Sequence, residues 1–82
     1  MKTRRLRKKC DTLVHSIITE IEFATSANEL EKLCYTCEYL IDTVIPLLLR
    51  DCTEPEELDK IKSNYMTKYR ITRDFCINYK FS

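Results

Sequence analysis

ELEKLCYTCEYLIDTVIPLLL, residues 29–49, decides the fold. Leu30, Leu33, Cys34, Cys37, Leu40, Ile41, Val44 and Leu48 recur at three- and four-residue steps, which draws one apolar stripe along a helix. Just upstream, Ser26 can cap a helix, and Glu29 three residues later completes a capping-box pattern. The spacing predicts a helix over about 27–50. Pro46 falls late in it, on the side away from Leu30. There water can satisfy the carbonyl that proline leaves free, so a kink near Pro46 is expected rather than a break.

Two more helices flank this one. Leu6, Cys10, Leu13, Val14, Ile17, Ile18 and Ile21 form a stripe that predicts a helix over about 3–24, ended by Thr25-Ser-Ala-Asn28. On the other side, Thr53-Glu-Pro-Glu56 is a start signal. Thr53 is the expected cap, and Pro55 sits in the first turn, where its missing N–H is harmless. Leu58, Ile61, Tyr65, Tyr69, Thr72, Cys76 and Tyr79 then predict a helix over about 54–78. The connections are short, so neighbouring helices should be antiparallel. The expected fold is therefore all-α: an antiparallel three-helix bundle, up-down-up, as one domain over 1–82 with a basic N-terminal arm at 1–9. The absence of glycine among the 82 residues argues against an all-β chain, whose tight hairpins need it. A chain this short buries only about 60% of its unfolded surface, so its stability margin is thin.

Charge is laid out in blocks. Residues 2–9 carry +6, residues 10–59 carry −10 and residues 60–82 carry +5, against a total of +1. In an up-down-up bundle the basic arm would lie beside Asp51, Glu54, Glu56, Glu57 and Asp59. The basic end of the third helix would lie beside Glu20, Glu22, Glu29 and Glu31. Such exposed pairs are worth a few tenths of a kcal/mol each, so they bias topology more than they stabilise. No apolar segment of signal-peptide length follows the basic start, and no apolar run approaches the roughly 20 residues of a membrane span. An odd cysteine count, five, does not suit a disulfide scaffold. The chain is expected to be cytoplasmic, with its cysteines as thiols.

Cys34-Tyr-Thr-Cys37 resembles a redox or metal pair in spacing only. A redox pair needs a low-pKa thiolate in the first turn of a helix. Both cysteines fall instead on the apolar stripe, where cysteine behaves as a small hydrophobe. Zinc would need four ligands converging on one point. In the set Cys10, His15, Cys34 and Cys37, His15 points away from Cys10 and does not converge. His15, the one histidine, has no Ser or Cys placed beside it, and without glycine there is no phosphate-cradling loop. No catalytic, cofactor or metal residues are assigned, and an enzyme is not expected.

The surface carries the functional reading. Tyr35 and Tyr39 are spaced i,i+4 on the outer face of the second helix. Ile71 and Phe75 are spaced likewise off the stripe of the third. Exposed aromatics serve as anchors in protein interfaces, so these four residues are the expected partner-binding positions. The expected function is non-enzymatic binding of another protein, as inhibitor, adaptor or regulatory subunit, with a homo-oligomer as one form of it. The small size would suit a viral or phage modulator of host machinery. The alternative is nucleic-acid binding through Arg4, Arg5, Arg7, Lys8 and Lys9 with the basic third helix. Basic and aromatic residues interleave there, but Tyr65, Tyr69 and Tyr79 lie on the core stripe, and the net charge lacks a strong positive excess.

Overall fold

The computed structural model describes residues 2–81, with side chains from Arg4 to Phe81. Met1 and Ser82, within the expected 1–82 domain, lie outside the described residues, as do the side chains of Lys2 and Thr3 in the expected basic arm. Three helices make an all-α bundle, and no strand occurs among the described residues. Helix α1 is Lys2–Glu22. Helix α2 covers residues 27–49, and α3 covers residues 55–80. Arg7 meets Glu57, and the Cys76 thiol meets the Ile21 carbonyl, so α1 and α3 run the same way. Lys62 meets Asp42 while Tyr69 meets Glu38, so α2 runs against α3. The result is an up-down-up rod of 42 × 19 × 15 Å.

The helix ends show why these residues stop and start. Ser26 is extended, and its Oγ accepts from the Glu29 N–H at 3.1 Å. The Glu29 carboxylate accepts from the Thr25 hydroxyl at 2.9 Å, so the expected capping box closes through Thr25. The cap of α3 is Glu54 rather than Thr53, and Glu54 makes no side-chain capping bond. Its φ and ψ of −64° and 145° are extended, the conformation that the following Pro55 imposes. α1 stops at Glu22, two residues short of the expected end. Helices often end on a left-handed glycine; here there is none, and no described residue has positive φ. The Ile21 carbonyl accepts from the Ala24 N–H at 3.2 Å, and α3 adds donors to the last carbonyls of α1. Cys76 Sγ donates to the Ile21 carbonyl at 3.5 Å, and Lys80 Nζ donates to the Glu22 carbonyl at 2.8 Å.

At Pro46, where a kink is expected, the helical ladder is altered in the preceding turn. The turn before it, Leu40–Val44, widens into a π-helical turn in which the Ile45 N–H reaches back to the Leu40 carbonyl. The wide turn takes in one extra residue. Downstream of it the buried positions are Ile45 and Leu49, both fully buried, while Leu48 is 42% exposed and Val44 is half-buried. The apolar face thus shifts one residue from the expected Val44 and Leu48. A second π turn, Cys76–Lys80, does the same to the end of α3. Tyr79, expected in the core, is 77% exposed, and Phe81 packs against the core in its place. Leu13 also leaves its expected core position, at 46% exposed.

The core joins Cys10, Val14 and Ile21 of α1, Leu30, Cys37, Ile41, Ile45 and Leu49 of α2, and Ile61, Tyr65, Tyr69 and Cys76 of α3. Ala24 closes its end in the first connection. Tyr65 and Tyr69 stand one turn apart on α3, and each reaches a different neighbour. Tyr65 donates to the Asp11 carboxylate on α1. Tyr69 donates to Glu38 on α2 at 2.7 Å. A buried phenol needs such a partner, because an unsatisfied hydroxyl costs about 1–3 kcal/mol. The two tyrosines therefore hold α3 in register with both other helices.

Charge pairing is sparser than the blocks suggest. Arg7 to Glu57, at 3.5 Å, is the contact seen between the arm and the acidic segment among the described residues. At the other end Lys80 finds a backbone carbonyl, not a carboxylate. Holding side chains this exposed in one geometry costs entropy that offsets most of what a screened ion pair returns.

Candidate functional site

Among the described residues no three His, Cys, Asp or Glu side chains stand close enough to hold a metal ion together. The thiols are placed for packing. Cys37 is fully buried and Cys34 half-buried, both against the core. Burial pushes the Cys37 thiol up to about 12 from its ordinary 9.0, helped by the neighbouring Cys34. Burial also raises Cys34. Nucleophilic cysteines need the opposite shift. His15 is exposed and lines a groove of about 500 Å³ between α1 and α3, together with Asp11, Lys68 and Ile71. Neither serine nor cysteine lines that groove, and Asp11 already accepts from Tyr65.

These buried acids give the fold a dependence on alkaline pH. Burial, and the carboxylates Asp11 and Glu38 that accept from them, raise Tyr65 and Tyr69 above the ordinary 10.0 of a phenol. A group whose folded pKa lies above its unfolded value loses its proton first in the unfolded chain. Its contribution is complete below the unfolded value and is lost as pH rises toward the folded one. Stability should therefore hold up to about pH 9, where unfolded thiols begin to ionise, and fall steadily toward about pH 12. Urea midpoints across that range test this. A midpoint that does not move above pH 10 would contradict the assignment of these side chains to the core.

The outer faces hold the remaining candidates. Ile71 is 66% exposed and Phe75 is 58% exposed. The strip continues one turn further than expected, because the π turn delivers Tyr79 to it. The Phe75 and Tyr79 rings lie 5.3 Å apart, tilted by 36°. Ile71, Phe75 and Tyr79 thus make an apolar ridge at four-residue steps on the end of α3. Tyr79 was hidden from the sequence because its spacing from Cys76, read on a regular helix, points inward.

Tyr35 and Tyr39 are 75% and 55% exposed and border a common hollow with Glu38, Asp42 and Thr43, and each also faces a groove of its own. Tyr35 borders a groove between α2 and α3 that it shares with Arg73, Ile77 and Phe81. Tyr39 borders another groove, between α1 and α2, with Leu13, Ile17 and Val44. The basic arm is not a separate tail. Residues 2–9 form the first turns of α1. Arg4, Arg5, Lys8 and Lys9 are exposed, and among the described residues they pair with no carboxylate, while Arg7 pairs with Glu57. No described helix is long and apolar enough to cross a membrane. In comparison with known proteins, no family model matches the chain, and neither a curated protein nor a solved structure matches it.

Proposed function

We propose that this chain is a small non-enzymatic protein that binds another protein through its outer helix faces, as an inhibitor, adaptor or regulatory subunit. The observation that carries the reading is the α3 ridge. Ile71, Phe75 and Tyr79 stand in a row, each more than half exposed, on a helix whose opposite side supplies the core. A monomer gains nothing by leaving such a row in water, where it lowers solubility. At the centre of an interface the same side chains become anchors, each worth about 2 kcal/mol or more. The ridge, the more apolar of the two candidate faces, serves self-association. Tyr35 and Tyr39, whose hydroxyls suit a mixed surface, serve a different protein.

The second reading, nucleic-acid binding, has its own support: the exposed cations Arg4, Arg5, Lys8 and Lys9 along one helical start. Salt separates the two readings. Affinity capture with the wild-type chain and with Tyr35→Ala/Tyr39→Ala should show a protein partner retained by the first and lost by the second. That capture should survive a rise from about 50 to 200 mM salt, a rise that costs a phosphate-binding protein orders of magnitude in affinity. Recovery of nucleic acid that is lost with salt, and is unaffected by the tyrosines, would favour the second reading instead.

A further inference from the structure

The groove between α2 and α3 is a ladder. On α2, Ala27, Leu30, Cys34 and Glu38 face it, and on α3 Tyr69, Arg73, Ile77 and Phe81 face it at four-residue steps. Its volume is about 460 Å³. From residue 27 to residue 38 it runs about 16 Å, three turns of helix. The floor is apolar, formed by Leu30, the half-buried Cys34, the ring of Tyr69 and Ile77. The second π turn shapes its upper end, because it sends Phe81 back against the core while Ile77 stays 48% exposed. A trough of this length, open along one side between two antiparallel helices, has the form of a seat for a further helix in a bundle.

The rims differ in charge. On the α3 side the Arg73 guanidinium is already held. It donates to Asp74 at 3.1 Å and lies 5.3 Å from the centre of the Tyr69 ring. On the α2 side Glu31 and Glu38 are exposed on either side of Tyr35, and neither pairs with a cation among the described residues. Glu38 accepts only the uncharged Tyr69 hydroxyl. The uncommitted charge along the groove is therefore negative and confined to one rim.

We infer that this groove binds one amphipathic helix of a partner protein, with aliphatic side chains seated on Leu30, Cys34 and Ile77 and lysine or arginine facing Glu31 and Glu38. This rests on the reading of the chain as a protein-binding module and names the partner's chemistry on the Tyr35 side. An incoming helix of about three turns places apolar residues at i, i+4 and i+7 against the ladder. Its basic residues, one position round, meet the acidic rim. An acidic helix with the same seam meets like charge there and is rejected.

The test uses a defined probe: a synthetic helix of about 15 residues, about four turns, with leucines at that spacing and lysines along one flank. A second peptide carries glutamates in place of the lysines. Amide chemical-shift mapping on the intact chain should show the basic peptide perturbing residues 27–38 and 73–81. It should bind at least about tenfold more tightly than the acidic one, the step that 1.4 kcal/mol represents. Glu31→Lys, at an exposed position, should reverse that preference, and Ile77→Asp should abolish binding with the helical signal retained. Should Ile77→Asp disturb the fold, Glu31→Lys carries the test alone. Equal binding of both peptides, no binding by either, or shifts on the Ile71–Phe75–Tyr79 ridge instead would overturn the proposal. So would groove amides that move with the chain's own concentration, because the occupant would then be a second copy. Equal binding or no binding of the peptides leaves the ridge untested, and the ridge's own variants, Ile71→Asp with Phe75→Asp, report on the broader reading separately.

Discussion

Tyr69→Ala should remove a large share of the chain's stability, the largest stability effect expected of any single substitution here. Tyr69 is the largest of the fully buried side chains. It occupies the point where α3 meets α2, with its hydroxyl on Glu38 at 2.7 Å and the Arg73 guanidinium over its ring. Truncating a buried aromatic to alanine costs about 3–5 kcal/mol, partly lost burial and partly the cavity left behind. A chain of this length has a total stability of roughly 4–12 kcal/mol at ~0.05–0.15 per residue. The substitution consumes a large share of that, and at about 4–8 °C per kcal/mol the melting temperature should drop by tens of degrees. Tyr69→Phe separates the ring from its hydroxyl. It keeps the packing and loses one hydrogen bond, about 1 kcal/mol, because Glu38 is exposed and water can replace the phenol. Urea denaturation followed by circular dichroism checks both. A Tyr69→Ala variant within about 1 kcal/mol of wild type would mean that the core is not organised around this residue.

Tyr69 and Tyr65 also mark where the sequence is informative. Their four-residue spacing, in step with Ile61 and Cys76, is enough to put both on the inner face of α3. The Ser26–Glu29 cap and Pro55 in a first turn are equally readable, because local backbone chemistry fixes them. What pattern alone does not choose is the register beyond each π turn. Residues 44–49 read Val-Ile-Pro-Leu-Leu-Leu, and five of the six are apolar. The run therefore supplies a buried residue in either register, and the regular helical period picks Val44 and Leu48 where the fold uses Ile45 and Leu49. Pro46 is the available hint. A proline disturbs the ladder of the turn before it, and the chain widens that turn here. At the end of α3 the same ambiguity involves Tyr79 and Phe81, both aromatic, and it conceals the third member of the ridge. The tyrosine–carboxylate pairs are not legible either. Asp11 lies 54 residues from Tyr65 and Glu38 lies 31 from Tyr69, distances that only the packed bundle brings together.

The second large effect is on association. Ile71→Asp with Phe75→Asp should leave the fold intact and abolish self-association. Both side chains are more than half exposed, so the monomer loses little packing. Exposed substitutions of this kind change stability by about 0.5 kcal/mol, with a small further cost from two carboxylates near the C-terminal end of a helix. The interface stands to lose far more. At about 2 kcal/mol per anchor, roughly thirtyfold each, two anchors together represent on the order of a thousandfold in affinity. A carboxylate left facing an apolar partner adds to that, since burying an unpaired charge costs more than the contact it replaces. Tyr79→Ala alone should give an intermediate result, because its ring rests on Phe75 at the end of the ridge.

Sedimentation of the wild-type chain and of Ile71→Asp/Phe75→Asp over a range of concentrations, with circular dichroism on the same samples, tests the central claim most directly. The expected result is a wild-type chain that grows beyond the monomer as concentration rises and a double variant that stays monomeric with its helical signal undiminished. Identical sedimentation of the two proteins, or a variant whose helical signal has collapsed, would contradict the claim that this ridge is a binding surface rather than part of the core.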